Sequence, residues 1–216
     1  MPDPFAVKDC ALIAIATGKK AWTCRELRDT LREIDGDSIY YHFWGGLMQP
    51  RFEEREFNND FAGWAAHSLR DAPLAERLAM VDPTAYPDID SLRQELVELV
   101  EERLDEDDSL QWARGLAPFG FIRSQIVVFD TGRRLDSPDD LTAAVPGFSV
   151  GSVFYHFIDA RRRSPRHVDD LRFWLGEFGD TCQGTIDRLA AIDPFFQPLT
   201  ELRLQIAAAL EQERCP

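Results

Sequence analysis

Two histidines are the residues best placed to do chemistry. His42 and His156 each follow a tyrosine, Tyr41 and Tyr155, inside the matching runs Ser38-Ile39-Tyr40-Tyr41-His42-Phe43 and Ser152-Val153-Phe154-Tyr155-His156-Phe157. The chain holds four histidines, so half of them occupy equivalent places. Asp60 and Asp170 recur too, each four residues before a tryptophan, Trp64 and Trp174. A histidine beside a carboxylate can serve in three ways. It can tie two helices together as a hydrogen-bonded pair. Two such pairs can supply the imidazole and carboxylate ligands that suit Zn, Fe or Mn. In a pocket it can move a proton. We favour the helix tie, because duplicated metal bundles carry Glu-x-x-His pairs and this chain has none.

Cations form the second set of candidates. Thr17-Gly18-Lys19-Lys20 and Thr131-Gly132-Arg133-Arg134 share one pattern. It is expected to end a helix, with glycine in a left-handed conformation and cations at the negative helix end. The alternative is an anion site using Lys19 and Arg133, although the spaced glycines of a phosphate-binding loop are missing. Arg161, Arg162 and Arg163, with Arg166 and His167, form a basic cluster that is unusual on so acidic a chain. It reads as a solvated loop, or as a docking patch for an acidic partner or phosphorylated ligand. The first half offers only Arg51 and Arg55 there, among glutamates. Trp64, Trp174 and the aromatics beside the histidines read as core. No dinucleotide fingerprint, nucleophile elbow or HExxH motif occurs, so no catalytic residue is assigned.

These residues recur because the chain is one unit written twice. Gly18 and Gly132, and His42 and His156, are each 114 apart (132 − 18 and 156 − 42). Phe5 with Phe119 and Leu27 with Leu141 keep that offset. The match continues with Asp60 and Trp64 against Asp170 and Trp174 (170 − 60 gives 110), and with Arg77-Leu78-Ala79 against Arg188-Leu189-Ala190 (188 − 77 gives 111). A variable loop is therefore expected over about residues 45–58 and 159–168. The copies divide as residues 1–110 and 111–216.

Each copy reads as mostly helical. Thr23-x-x-Glu26 and Ser137-x-x-Asp140 are capping-box patterns ahead of amphipathic runs, and Pro138 suits a first helical position. Ser38 and Ser152 are candidate N-caps of the next helix. A short helix should stop at Asp82-Pro83, and a last one should carry Leu92, Leu96 and Val100, or Leu202 and Ile206. The segments 5–16 and 119–130 are ambiguous. Ala11 to Ile15 suits a helix closed by Gly18, whereas Ile126-Val127-Val128-Phe129 suits a strand. Homologous segments should share a state, and helix is favoured. The expected fold is all-α, a helical bundle of two pseudo-symmetric halves packed together as a fused homodimer would be.

Composition narrows the function classes. A net charge of −14 argues against nucleic acid and anionic membranes as partners. The opening Met1-Pro2-Asp3-Pro4 lacks a basic stretch, so no secretory leader is expected. Cys10, Cys24, Cys182 and Cys215 fit no zinc spacing and read as reduced thiols of a cytoplasmic protein, with Cys215 in a frayed tail.

The phrases "VKDCALIAIATGKK", "SIYYHFW", "NNDFAGW" and "RLAMVDP", with "FIRSQIVVFDTGRR" and "SVFYHF" in the second copy, resemble the bacterial and archaeal family called domain of unknown function 5752. The resemblance covers nearly the whole chain. It implies a soluble prokaryotic protein without an established activity, and it transfers no catalytic residue. Two functional readings follow from the residues. The first is a non-enzymatic binding or regulatory module for a protein partner or small anionic ligand, with no cofactor. The second is an enzyme or metal protein built on His42/Asp60 and His156/Asp170. Features found in both copies are most economically scaffold, whereas features found once could carry a function particular to this chain.

Overall fold

A computed structural model describes residues 2–49 and 56–212; Arg51, Arg55 and Cys215 lie outside them. Two long strands, β1 (Phe5–Thr23) and β2 (Arg114–Leu135), pair as a two-stranded antiparallel sheet. The expected all-α bundle is thereby corrected to a mixed α/β fold. The reason lies in residue type. Both segments are rich in β-branched and aromatic residues, which fit a pleated surface. Phe5 and Val7 are buried at alternate positions, as are Phe119 and Phe121, and that is a strand period. The homologous segments do share a state, but the run 126–129 named it and the run 11–15 did not.

The expected helix C-caps are corrected with them. Gly18 and Gly132 sit inside the strands at φ 79° and 73°. Glycine takes this left-handed conformation without the Cβ penalty, and such residues occur where strands bulge. The neighbouring threonines fasten the strands. Thr17 Oγ1 donates to Phe121 O at 2.8 Å, and Thr131 Oγ1 donates to Val7 O at 2.5 Å.

Two compact units result, and neither is a sequence copy. The His42 unit is Leu12–Gln125, and the His156 unit is Met1–Ala11 with Ile126–Pro216. Each combines the helices of one copy with strand segments of both.

In the His42 unit the helices are α1 (Cys24–Glu33), α2 (Gly36–Trp44), α3 (Asp60–Trp64), α4 (Ala72–Ala79) and α5 (Ile89–Glu106). α5 packs on α1, α2 and α4. Leu27, Leu31, Phe43, Phe61, Leu74, Leu78, Leu96 and Phe121 are fully buried among them. Thr23 caps α1 by accepting from Glu26 N, and Glu26 reaches back to Trp22 N.

In the His156 unit, α6 (Pro138–Ala144) opens with the capping box of Ser137 and Asp140. Then α7 (Val150–Val153), a π-helical stretch (Phe154–Asp159) and α8 (Ala160–Arg163) run without a break. α9 (Asp170–Leu175), α10 (Gln183–Ala190) and α11 (Leu199–Glu211) complete it, with α11 against α6, α7 and α10. Ser38 and Ser152 do not cap these helices. Asp35 and Ser149 do, because each helix starts earlier than the sequence pattern implied.

Cys10 and Cys24 are buried free thiols, and burial above all pushes each up to about 12. Cys182 is disulfide-bonded, which corrects the expectation of four reduced thiols. Among the described residues, no helix is long and apolar enough to cross a membrane.

At Gly151 it is space against the β1 backbone, rather than conformation, that demands glycine. A Cβ on Gly151 would lie 2.1 Å from Asp9 Oδ1 and 2.4 Å from Cys10 O. Around Gly132 nothing lies within 4 Å, so only its φ is at issue. Thermal unfolding should separate the two constraints. Gly132→Ala is expected to cost about 1–2 kcal/mol, the left-handed penalty of an L-residue. Gly151→Ala should cost more, at or above the ~1–3 kcal/mol of overpacking. An unchanged melting temperature for Gly151→Ala would contradict the approach of α7 to β1.

Candidate functional site

The histidines are tied on both sides of the ring. His42 Nδ1 lies 2.9 Å from Asp60 Oδ2, and its Nε2 accepts from Ile122 N at 3.1 Å. His156 Nδ1 lies 2.8 Å from Asp170 Oδ2, and its Nε2 accepts from Lys8 N at 2.9 Å. The rings are 2% and 3% exposed. A nitrogen that accepts from a backbone N–H carries no proton, so each imidazole holds its proton on Nδ1, facing the carboxylate. Asp60 and Asp170 are each the first residue of their helix, where the helix dipole favours negative charge.

The geometry therefore joins three elements rather than two. His42 on α2 holds the start of α3 and also β2, a strand that belongs to the other sequence copy. His156 holds the start of α9 and also β1. The strand partners, Ile122 and Lys8, are themselves 114 apart (122 − 8). Aromatic rings enclose each imidazole. Phe119 lies 4.6 Å from the His42 ring, and its counterpart Phe5 lies 4.8 Å from the His156 ring. Tyr41 and Tyr155 meet the histidines edge-on at 5.4 and 5.0 Å. Tyr41 OH accepts from Gln49 Nε2, while Tyr155 carries the Arg163 guanidinium 4.0 Å over its ring.

The arginine cluster answers carboxylates of its own copy. Arg162 and Arg163 both bond Asp159, through Nη2 at 3.1 Å and Nε at 2.9 Å. Arg163 Nη2 also donates to Asp170 Oδ2 at 3.0 Å, which links the cluster to the histidine pair. Burial works against the Arg163 charge, but Asp170 beside it holds that group above its ordinary range. Arg161 approaches Asp169 at 3.9 Å and lies 5.0 Å over the Phe157 ring, while Arg172 bonds Asp169 at 2.5 Å. Asp159 and Asp169 are buried. In the first copy their places are held by Gly45 and Asn59 (159 − 45 gives 114 and 169 − 59 gives 110). A buried carboxylate needs a paired cation. The cluster found once is thus matched by two buried carboxylates found once.

Lys19 and Arg133 fall in different units. Lys19 Nζ lies 3.7 Å from Glu33, and Arg133 is exposed on β2, its backbone N–H donating to Thr131 Oγ1. Trp64 and Trp174 are buried, as expected of core residues, and each also donates from Nε1 to a backbone carbonyl, Ala117 O on β2 and Asp3 O just before β1. No group of three or more His, Cys, Asp or Glu that could hold a metal ion occurs among the described residues. Sequence reasoning missed the backbone N–H of Lys8 and Ile122 and the carboxylates of Asp159 and Asp169. For the carboxylates a signal existed: Asp159 stands three and four residues before Arg162 and Arg163, the spacing of neighbours on one helix face.

Fold and site define a duplicated α/β protein in which buried histidines, each paired with an aspartate, clamp the strands of an antiparallel ribbon. A model of a family of unknown function, DUF5752, matches residues 2–211, and the chain belongs to that family. The solved structure of OrfY from Thermoproteus tenax is similar, with a TM-score of 0.85 at 24% identity, over 100% of this chain and 99% of that one. That likeness shows a common fold. A comparison with curated proteins gave no match.

The clamp makes a stability prediction. His42→Phe keeps the ring among its aromatic neighbours but removes both bonds. It leaves the Ile122 N–H without its acceptor, which costs about 1–3 kcal/mol for a buried donor. Denaturant unfolding should show a loss of about 2–4 kcal/mol once the bond to Asp60 is included. A variant as stable as the parent would contradict the clamp.

Proposed function

We propose that the chain is a non-enzymatic binding module that acts through a protein partner. The observation that carries this reading is the use of both ring nitrogens in each His–Asp pair. A general base or metal ligand needs one nitrogen free to meet a proton or a metal. Here Nδ1 faces a carboxylate and Nε2 accepts from a backbone N–H in both units. Support for a protein rather than a small anion comes from two sides. The arginine cluster is engaged by Asp159, Asp169 and Asp170, which leaves it less able to hold a phosphorylated ligand. Apolar side chains stand exposed along both strands, among them Ile13, Val128 and Phe129, and exposed apolar surface marks interaction sites.

A photo-reactive phenylalanine analogue placed singly at Ile13, Phe129, Phe173 and Leu204 tests this in the native host. At one or more positions a discrete adduct with another protein is expected, and it should persist in a folded His42→Phe variant. The absence of protein adducts at all four positions would count against the module. So would stoichiometric metal in the purified protein that a folded His42→Phe/His156→Phe variant loses.

A further inference from the structure

We infer that the outer edge of β2 in the His156 unit, residues 126–134, receives an extended peptide strand from the partner, apolar at its centre and acidic beside it. The inference rests on the binding-module reading and adds a surface and a mode to it.

The backbone supplies the first observation. Among the described residues the sheet has two strands, so the outer edge of β2 meets no third one there. Among the described residues, no loop or helix backbone pairs with β2 either. Elsewhere the ribbon's polar backbone groups are met by side chains from the helices. His42, Ser38 and Trp64 serve Ile122 N, Ile122 O and Ala117 O, and His156 serves Lys8 N. From 126 to 134 no helix side chain among the described residues does so. The bonds there are made within the ribbon, from Gly132 N and the Arg134 guanidinium to Asp130, from Arg134 Nη1 to Arg133 O, from Arg133 N to Thr131 and from Thr131 Oγ1 to Val7 O.

The side chains supply the second. Val128 and Phe129 are 42% and 50% exposed, in an uncharged run of β-branched and aromatic residues. Exposed edges are ordinarily blunted by lysine, proline or inward charge, and the run 126–129 has none of these. What such an edge lacks is a backbone ladder with apolar side chains, which is what an added strand brings.

Charge supplies the third and selects the occupant. The two strands carry Lys8, Lys19, Lys20, Arg114, Arg123, Arg133 and Arg134 against Asp9 and Asp130, a net of +5 (7 − 2). With the chain at −14, the remainder stands at −19 (−14 − 5). Arg134 is paired with Asp130 at 2.7 Å, and Arg133, exposed beside it, offers a cation to an acidic flank on the incoming strand. The repeat places a weaker version on β1, where Ala14 and Ala16 replace Val128 and Asp130 and Ile13 is 48% exposed.

A fluorescent peptide, Asp-Asp-Val-Ile-Val-Ile-Glu-Glu, titrated against the full chain tests the assignment by anisotropy, with hydrogen exchange to locate it. Saturable binding is expected, with slowed exchange over 126–131. Binding should weaken at least about tenfold in Val128→Lys/Phe129→Lys and stay near the parent value in Ile13→Lys. The same peptide N-methylated on alternate residues, which removes its ladder donors, should not bind. Phe129→Gln replaces the double variant should that one unfold. Absence of saturable binding, protection elsewhere, or equal binding of the methylated peptide overturns the proposal. A dimer that Phe129→Gln dissolves would assign the edge to a second copy and overturn it too. Photo-adducts at Leu204 without any at Phe129 would sink the edge assignment while leaving the module reading standing.

Discussion

An imidazole can bridge two hydrogen-bonding partners in opposite directions only when one nitrogen gives a proton and the other accepts one. That constraint organises this protein. Each unit holds a two-stranded ribbon, which has too little backing to stand alone. The backing comes from helices whose buried histidine offers Nε2 to a strand N–H and Nδ1–H to a carboxylate. Because the strand N–H comes from the other sequence copy, neither copy contains a complete clamp. The duplicated sequence is therefore folded into two units that each draw on both copies, and the repeat and the compact unit are different divisions of one chain.

Much of this was legible in the sequence. The 114-residue offset located His42 with His156, and the His–Asp pairing and the buried tryptophans lay in its pattern. The capping boxes at Thr23 and Ser137 marked where α1 and α6 begin. The strands were not legible, and the reason is physical. Ala11 to Ile15 is a short apolar run whose periodicity suits either state, and a glycine after it closes a helix as readily as it bends a strand. The stabilising partners of that strand are side chains on distant helices, which no local pattern displays. The exchange of strands between copies was invisible for the same reason, since a collinear repeat does not state which copy a segment joins.

The features found once tell a complementary story. Arg161, Arg162 and Arg163 read as a solvated loop, or as a docking patch, while their partners were unknown. Two buried carboxylates, Asp159 and Asp169, stand where the first copy has Gly45 and Asn59, and the arginines neutralise them. A single-copy charge cluster can be the local answer to a single-copy burial. Exposed apolar side chains on the ribbon, Ile13, Val128 and Phe129, lie beside cations on an otherwise acidic chain.

Each histidine accepts a backbone N–H from a strand of the other copy. Scalar coupling between nitrogens across a hydrogen bond reads that contact directly in uniformly 15N-labelled protein. Couplings from Ile122 N to His42 Nε2 and from Lys8 N to His156 Nε2 are expected, with the ring proton of both histidines on Nδ1. A ring proton on Nε2, with neither coupling present, would contradict the clamp.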